Sequence, residues 1–495
     1  MPKKSSKSCT ITSGNHYPFI EERIEGAGDT FLVKFLDGYL YYGPLANVSM
    51  ILDEFGASAV RKYYRKEVLL PNEQSLIDGL AEHDVFKIQI HIPEIPQDTF
   101  AHAGTRWAPT SATFSTTQKC TLRCKYCYAE GGRLEDLDIP WPVAKAAIDL
   151  IVKNAKVQKK NPSINFLGEG EATASWSEFR NIIEYFKEQC RLNSFTPTVS
   201  LSTNGVFSPS RLDYIAENCA NVTFSLDGVR GVHDENRALP NGGGSFDRII
   251  ANMKGLEVRG KTYDIRSTVT VAGVSTLSEF VLFVGKNLQC KSIHFEPVFD
   301  VTSVTHLKGQ IENLDAQKFV DNFREARRVA AGFEIGLYYS GSAMKHRQTF
   351  CGAGNARTFM VTARGIVTSC SEVLQPWDPR AKLFQYGEWK QEVGEFVVDL
   401  KAIDRLGKLN VHEMPKCQGC IAKYNCAGDC YAKSASSSGE PASGGYTERC
   451  HITRELLRDN LLLDWSQSRL ALRLARQIKS LVHCSLLILK VTLNA

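Results

Sequence analysis

Between about residues 111 and 335 the chain alternates between two hydrophobic patterns. Runs in which apolar and polar residues take turns, SATFST, PSINFLG, TVSLSTNG, NVTFSLDG, YDIRSTVTV and SIHFEPV, have the period of a strand. Between them lie WPVAKAAIDLIVKNA, SEFRNIIEYFKEQC, FDRIIANMKGLEVRG and LSEFVLFVGKNLQ, whose apolar residues recur at helical spacing. Repeated strand–helix units place their strands in one parallel sheet with right-handed crossovers. The pattern therefore predicts an α/β domain over residues 106–335, its six units forming either a doubly wound sheet or an open, partial (βα)6 TIM-like barrel. In either case chemistry belongs at the carboxyl ends of the strands.

The flanks read differently. TFLVKFLDGYLYYGPL has the pattern of a hairpin turning at Asp37-Gly38, and ANVSMILDEFGASAVRKYY and EQSLIDGLAEHD read as helices. Residues 1–105 are thus expected to form a small α+β module that ends in the proline-bearing linker IHIPEIPQDTF. Past about residue 340 the alternation gives way to cysteines, glycines and the tract SASSSGEPASGG, a region assigned to 336–455. Residues 456–495 read as a basic packing helix. PNGGGSF lacks the GK[ST] ending of a phosphate loop and reads as a connection.

Charge removes some classes of function. With 59 basic and 54 acidic residues the net charge is +5, too even to announce a nucleic-acid partner. The opening MPKKSSKSCTITSGNHYPF has no apolar core of a secretory signal, and no apolar run reaches the roughly 20 residues of a transmembrane helix. A cytoplasmic protein is expected. There, fifteen cysteines are thiols or ligands rather than disulfides. Cys9, Cys190, Cys219, Cys290 and Cys484 stand alone and read as small buried apolar residues.

The other ten fall into two regions. Cys120, Cys124 and Cys127 follow the first strand run in CTLRCKYC, with no fourth cysteine or histidine nearby. A closed zinc site needs four ligands, whereas a [4Fe–4S] cubane held by three thiolates keeps one iron open to a small molecule. Farther on come Cys351 and Cys370, then Cys417, Cys420, Cys426 and Cys430 in CQGCIAKYNCAGDC, then Cys450. Seven thiolates exceed one tetrahedral site, and spacing alone does not choose between two zinc ions and two clusters.

Taken together, these residues resemble the radical SAM enzymes. The family motif CxxxCxΦC, with Tyr126 as the aromatic Φ, implies a cluster in the loop after the first barrel strand, its open iron chelating S-adenosylmethionine (SAM). Reductive cleavage would then give a 5′-deoxyadenosyl radical that abstracts hydrogen. GEGEAT resembles the family's GGEP motif, with Ala172 in place of proline, and implies that Gly170 and Glu171 approach the methionine amino group. The resemblance also places Ser202, Thr203 and Asn204 of STNG at the same rim, Ser225 and Asp227 of SLDG near the ribose, and Arg266 against the SAM carboxylate.

The later cysteines resemble a SPASM domain with two auxiliary [4Fe–4S] clusters. In its interleaved pattern Cys351, Cys370 and Cys430 hold the first, and Cys417, Cys420, Cys426 and Cys450 the second. Such a protein would be an oxidoreductase acting on a precursor peptide or protein, forming a thioether or carbon cross-link or inverting a centre, with flavodoxin or ferredoxin as reductant. Ser371 and Glu372 follow Cys370, where sulfatase-maturing members carry an Asp base. Sulfatase maturation is therefore the weaker reading, and Glu372 and Asp429 are the candidate bases. The first module resembles the winged-helix element that grips leader peptides. A SAM enzyme acting on a small molecule and a zinc-binding interaction protein are the alternatives.

Overall fold

A charged strand, β1 (Ile20–Arg23), and three runs rich in aromatic and branched residues, β2 (Phe31–Phe35), β3 (Gly38–Gly43) and β4 (Val48–Leu52), form an antiparallel meander. The computed structural model describes residues 20–35, 38–87, 107–298, 312–355, 358–440, 447–467 and 488–491. The expected hairpin is present, with Phe35 opposite Gly38, while Asp37 and the linker 90–100 lie outside the described residues. The stretch 46–64, expected to be helical throughout, is corrected: its first part is β4, and the helix is Glu54–Arg65. Asp53 explains the break, since its carboxylate caps the helix by accepting from Gly56 N at 2.7 Å. A second helix, Pro71–Glu82, follows. Ile24, Leu32, Tyr41, Met50, Val60, Ile77 and Leu80 share their core. The chain divides into two units, residues 1–92 with 459–495 and residues 93–458. The last strand, β16 (Ile488–Val491), belongs to the first unit and pairs antiparallel with β4.

In the second unit all six expected strands form: β5 (Ser111–Phe114), β6 (Ser163–Phe166), β7 (Thr198–Thr203), β8 (Asn221–Ser225), β9 (Asp264–Val269) and β10 (Ser292–Pro297). They are parallel and neighbour one another in chain order. The helices Trp141–Gln158, Trp176–Leu192, Phe246–Val258 and Leu277–Asn287 fall where the periodicity put them. β10 does not pair with β5. The sheet is therefore open, as in a partial (βα)6 barrel.

Parallel strands covered on both faces usually read as unbroken apolar runs. These alternate because their faces differ. Phe114, Phe166, Leu201, Phe224, Ile265 and Phe295 are buried in the main core, each contributing about 1.5–3 kcal/mol of burial. Asn165, Ser202, Ser225, Arg266, His294 and Glu296 take the alternate positions and leave a polar inner face.

One more helix, Ala316–Ala331, and a short strand, β11 (Gly336–Tyr338), extend the sheet beyond β10. On the other edge β12 (Met360–Val361) adds parallel to β5, and β13 (Ile366–Thr368), β14 (Gln385–Lys390) and β15 (Glu395–Val398) follow antiparallel, completing eleven strands. The start of the Ser/Gly tract is helical, Tyr431–Ser438, ending at Gly439 in the left-handed region. The helix expected over 456–495 is corrected: the described helix is Thr447–Gln467, residues 468–487 lie outside the described residues, and Ile488–Val491, β-branched at both ends, is the strand β16 paired with β4.

Candidate active site

The cysteine loop leaves the carboxyl end of β5 and is clamped from two sides. Ala238 O and Asn236 O accept from Arg123 N and Lys125 N at 2.8 and 3.0 Å. On the β6 side Glu171 N donates to Lys119 O at 2.9 Å, and a Cβ on Gly170 would lie 2.2 Å from that oxygen. Only glycine permits this approach. The glycine of the GEGEAT motif therefore holds the loop.

Each thiol of the trio faces a donor. Asn204 Nδ2 is 3.6 Å from Cys120 Sγ, Arg237 Nη1 is 3.8 Å from Cys124 Sγ, and Gly131 N is 3.4 Å from Cys127 Sγ. Burial pushes Cys120 up to about 11 and Cys124 up to about 12, the latter opposed by the Arg237 guanidinium. Sulfur anions here need compensation, and three N–H donors with a buried cation supply part of it. The donor set fits an anionic iron–sulfur group on Cys120, Cys124 and Cys127. Among the described residues no three His, Cys, Asp or Glu side chains gather closely enough to grip a single metal ion.

Around the loop the expected contacts are partly redistributed. Glu171 is buried, and its carboxylate accepts from Thr173 Oγ1 and Thr203 Oγ1 at 2.7 and 2.9 Å and from Asn204 N at 2.7 Å. It braces the ends of β6 and β7, and burial raises its carboxyl pKa despite those donors. Asp227 accepts from Tyr126 Oη and from Thr268 N at 3.0 Å, and it forms an ion pair with Arg237, Nε lying 3.0 Å from Oδ2. The Arg237 guanidinium lies over the Tyr126 ring, 5.3 Å from its centroid. Tyr126, Asp227 and Arg237 thus form one knot behind Cys124. Ser202 and Ser225 are half-buried on the inner face, and Arg266 is exposed there with Nη1 2.9 Å from His294 Nδ1.

The seven later cysteines come together in two groups. Cys370 has Cys351 and Cys430 as electrostatic neighbours, while Cys417 and Cys426 both have Cys420 and Cys450. Burial raises Cys351, Cys370, Cys417, Cys426, Cys430 and Cys450, Cys430 to about 12 and Cys450 to about 11. Glu372 lies beside the first group: its N donates to Cys370 Sγ at 3.5 Å, and its carboxylate faces Lys433 Nζ at 3.6 Å and Arg380 Nη1 at 3.9 Å. Asp429 is neither solvated nor free, since it is buried and both its oxygens accept from Arg449 Nε. Cys190, Cys219 and Cys290 are buried free thiols, as expected of lone cysteines.

Three charged residues escaped the sequence reading. Arg237 and Arg449 sit in no motif, although Arg449 directly precedes Cys450. Glu169 sits inside GEGEAT and is a buried hub, accepting from Ser115 Oγ at 2.9 Å, Gln118 Nε2 at 2.8 Å, Gln375 Nε2 at 2.6 Å and Ala363 N at 3.3 Å. Its doubled position beside Glu171 was the available signal.

Residues 114–279 match the sequence profile of the radical SAM superfamily. The chain is 28% identical over 156 residues to a cysteine-type anaerobic sulfatase-maturating enzyme of Clostridium novyi, covering 31% of this chain and 41% of that one. It is 27% identical over 183 residues to the mycofactocin maturase MftC of Mycolicibacterium smegmatis, covering 36% and 42%. The matched region thus spans about half or less of these curated relatives. Among solved structures, native anSMEcpe with bound AdoMet superposes with a TM-score of 0.58 at 17% identity, covering 72% of this chain and 98% of that one. Streptococcus suis SuiB bound to S-adenosylmethionine gives 0.51 at 14%, covering 88% and 99%. At such identities the likeness is one of fold. With its cysteine loop at the end of β5 and the open parallel sheet behind it, the stretch 114–279 is similar in sequence to the radical SAM superfamily.

Proposed function

We propose that this chain is a radical SAM enzyme that oxidatively modifies a ribosomally made peptide or protein. The observation that carries the reading is the trio Cys120, Cys124 and Cys127, each thiol supplied with a donor, at the mouth of a polar-faced sheet. When bound, a [4Fe–4S] cluster and SAM would supply a 5′-deoxyadenosyl radical that takes a hydrogen atom from the substrate. The protein's part is to bind, orient and exclude water. Arg266 is the exposed cation for the SAM carboxylate, and Ser202 and Ser225 offer hydroxyls along the inner face. Tyr126 and Asp227 stiffen the loop, and Gly170 fixes its height.

Cys351, Cys370 and Cys430, and Cys417, Cys420, Cys426 and Cys450, would hold two auxiliary clusters that receive the electron left on the substrate. Glu372, beside the first of these groups, is the better placed base for the accompanying proton, because Asp429 is already held by Arg449. A peptide substrate is supported by the likeness to SuiB, also solved bound to its precursor peptide SuiA. In the first unit β1 ends the sheet with no further strand among the described residues, an edge to which a leader peptide could add. Flavodoxin or ferredoxin fits as the reductant.

Anaerobic reconstitution should load about twelve irons per chain for three cubanes. Dithionite-reduced protein should split SAM into methionine and 5′-deoxyadenosine. Incubation with a candidate precursor peptide should remove two hydrogens or, in D2O, add deuterium. Substantial zinc with little iron, or intact SAM, would refute the proposal. Sulfatase maturation is the second reading, favoured by the Clostridium novyi relative and weakened by Ser371-Glu372 after Cys370.

A further inference from the structure

The two later cysteine groups are joined by a buried ion network that the reading above leaves without a role. Arg449 is fully buried. Its Nε donates to Asp429 Oδ1 and Oδ2 at 2.9 and 2.6 Å, its Nη1 donates to Glu296 Oε1 at 2.7 Å, and its guanidinium lies 5.6 Å from the centre of the Tyr339 ring. Two of these charges are chain neighbours of candidate ligands. Asp429 directly precedes Cys430 of the first group, and Arg449 directly precedes Cys450 of the second. One ion pair therefore ties the two groups together.

The backbone supports a specific role for this pair. Asp429 adopts φ +65°, the left-handed region, immediately after Gly428 at φ +90°. A residue with a side chain is unfavourable there, and glycine would relieve the strain. What the aspartate adds is the carboxylate that grips Arg449. The third member, Glu296, lies at the end of β10 on the inner face, where it accepts from Ser340 Oγ and faces His294 Nε2 at 3.2 Å. Burial pushes the Glu296 carboxyl up, but Arg449, His294 and Arg266 outweigh that and hold it well below the usual carboxylate range. Arg449 thus carries one positive charge, fixed between two groups of sulfur ligands and flanked by two carboxylates. In a poorly screened interior such a charge acts on everything near it.

We propose that Arg449 is a positioning residue that sets the reduction potentials of both auxiliary sites, its cation favouring the electron-richer state of each, with Asp429 and Glu296 setting how far. The inference rests on the reading that the two groups hold iron–sulfur clusters. It adds that their potentials are coupled through one side chain that ligates neither.

The test is potentiometric EPR on the reconstituted full-length protein carrying Arg449→Met, Arg449→Lys, Asp429→Asn or Glu296→Gln. Loss of the cation in Arg449→Met should shift both auxiliary potentials to more negative values. Arg449→Lys should restore them toward wild type. Asp429→Asn and Glu296→Gln each remove an opposing negative charge and should shift the potentials the other way. The cluster on Cys120, Cys124 and Cys127 should not move in any variant. Damage to packing alone would not reverse sign with the sign of the deleted charge. If Arg449→Met does not fold, Asp429→Asn and Glu296→Gln decide: unchanged or more negative potentials overturn the proposal. Failure of the underlying reading looks different. Then the Cys120→Ala/Cys124→Ala/Cys127→Ala variant would keep no iron–sulfur signal at all.

Discussion

Gly170 has no room for a methyl group, because the Lys119 carbonyl oxygen occupies the place a Cβ would take. Gly170→Ala should therefore lift the cysteine loop away from β6 and cost the protein about four of its irons, those of one cubane, as counted by an iron assay. Arg266 makes the opposite prediction, because it is exposed and reaches His294 on the neighbouring strand rather than the cysteine loop. Arg266→Met should weaken SAM binding by roughly tenfold or more, the worth of a charge-assisted hydrogen bond, with iron content unchanged in calorimetric titration. Glu169→Ala would strand four donors at once, and denaturant unfolding should register a loss on the order of 3 kcal/mol. The grouping of the cysteines was legible at this scale, since their spacing in the sequence already sets them in separate regions. Glu169, Arg237 and Arg449 were not, because a buried charge leaves no periodic trace and only the fold reveals its partner.

The short helix Arg230–Asn236 is an element the sequence reading passed over, too brief to display helical periodicity. It carries His233, whose Nδ1 accepts from Asp227 N at 3.2 Å and whose Nε2 lies 3.0 Å from Ser245 Oγ. Burial lowers its pKa from the ordinary 6.5 to about 4. Between those values the unfolded chain binds a proton that the folded one refuses, so stability is full above pH 6.5 and falls as the pH drops toward 4. The loss should approach roughly 3 kcal/mol in denaturation curves taken across that window, and His233→Gln should flatten the dependence. The six barrel strands and their long helices were readable because one face packs on a core and the other stays polar. β11 to β15 were not, since strands of two to six residues added at the sheet's edges offer too few positions to show a period. The segment around β4 misled because VSMILDEFGASA runs from strand to helix with a single aspartate as the only punctuation.

At the scale of the molecule, the first unit joins residues 1–92 with 459–495: β16 lies against β4, at the sheet edge opposite β1 among the described residues. Deleting residues 488–495 should lower the melting temperature of this unit by several degrees, on the order of 4–8 °C per kcal/mol lost, while iron content holds. The meander can form early during synthesis, but its fifth partner, β16, is made long after β4. Until then β4 presents unpaired amides to every other nascent copy, so slow translation or crowded expression should favour tangled oligomers over monomers, and a bulky fusion placed just after residue 495 should interfere with a sheet whose other strands lie within residues 20–52.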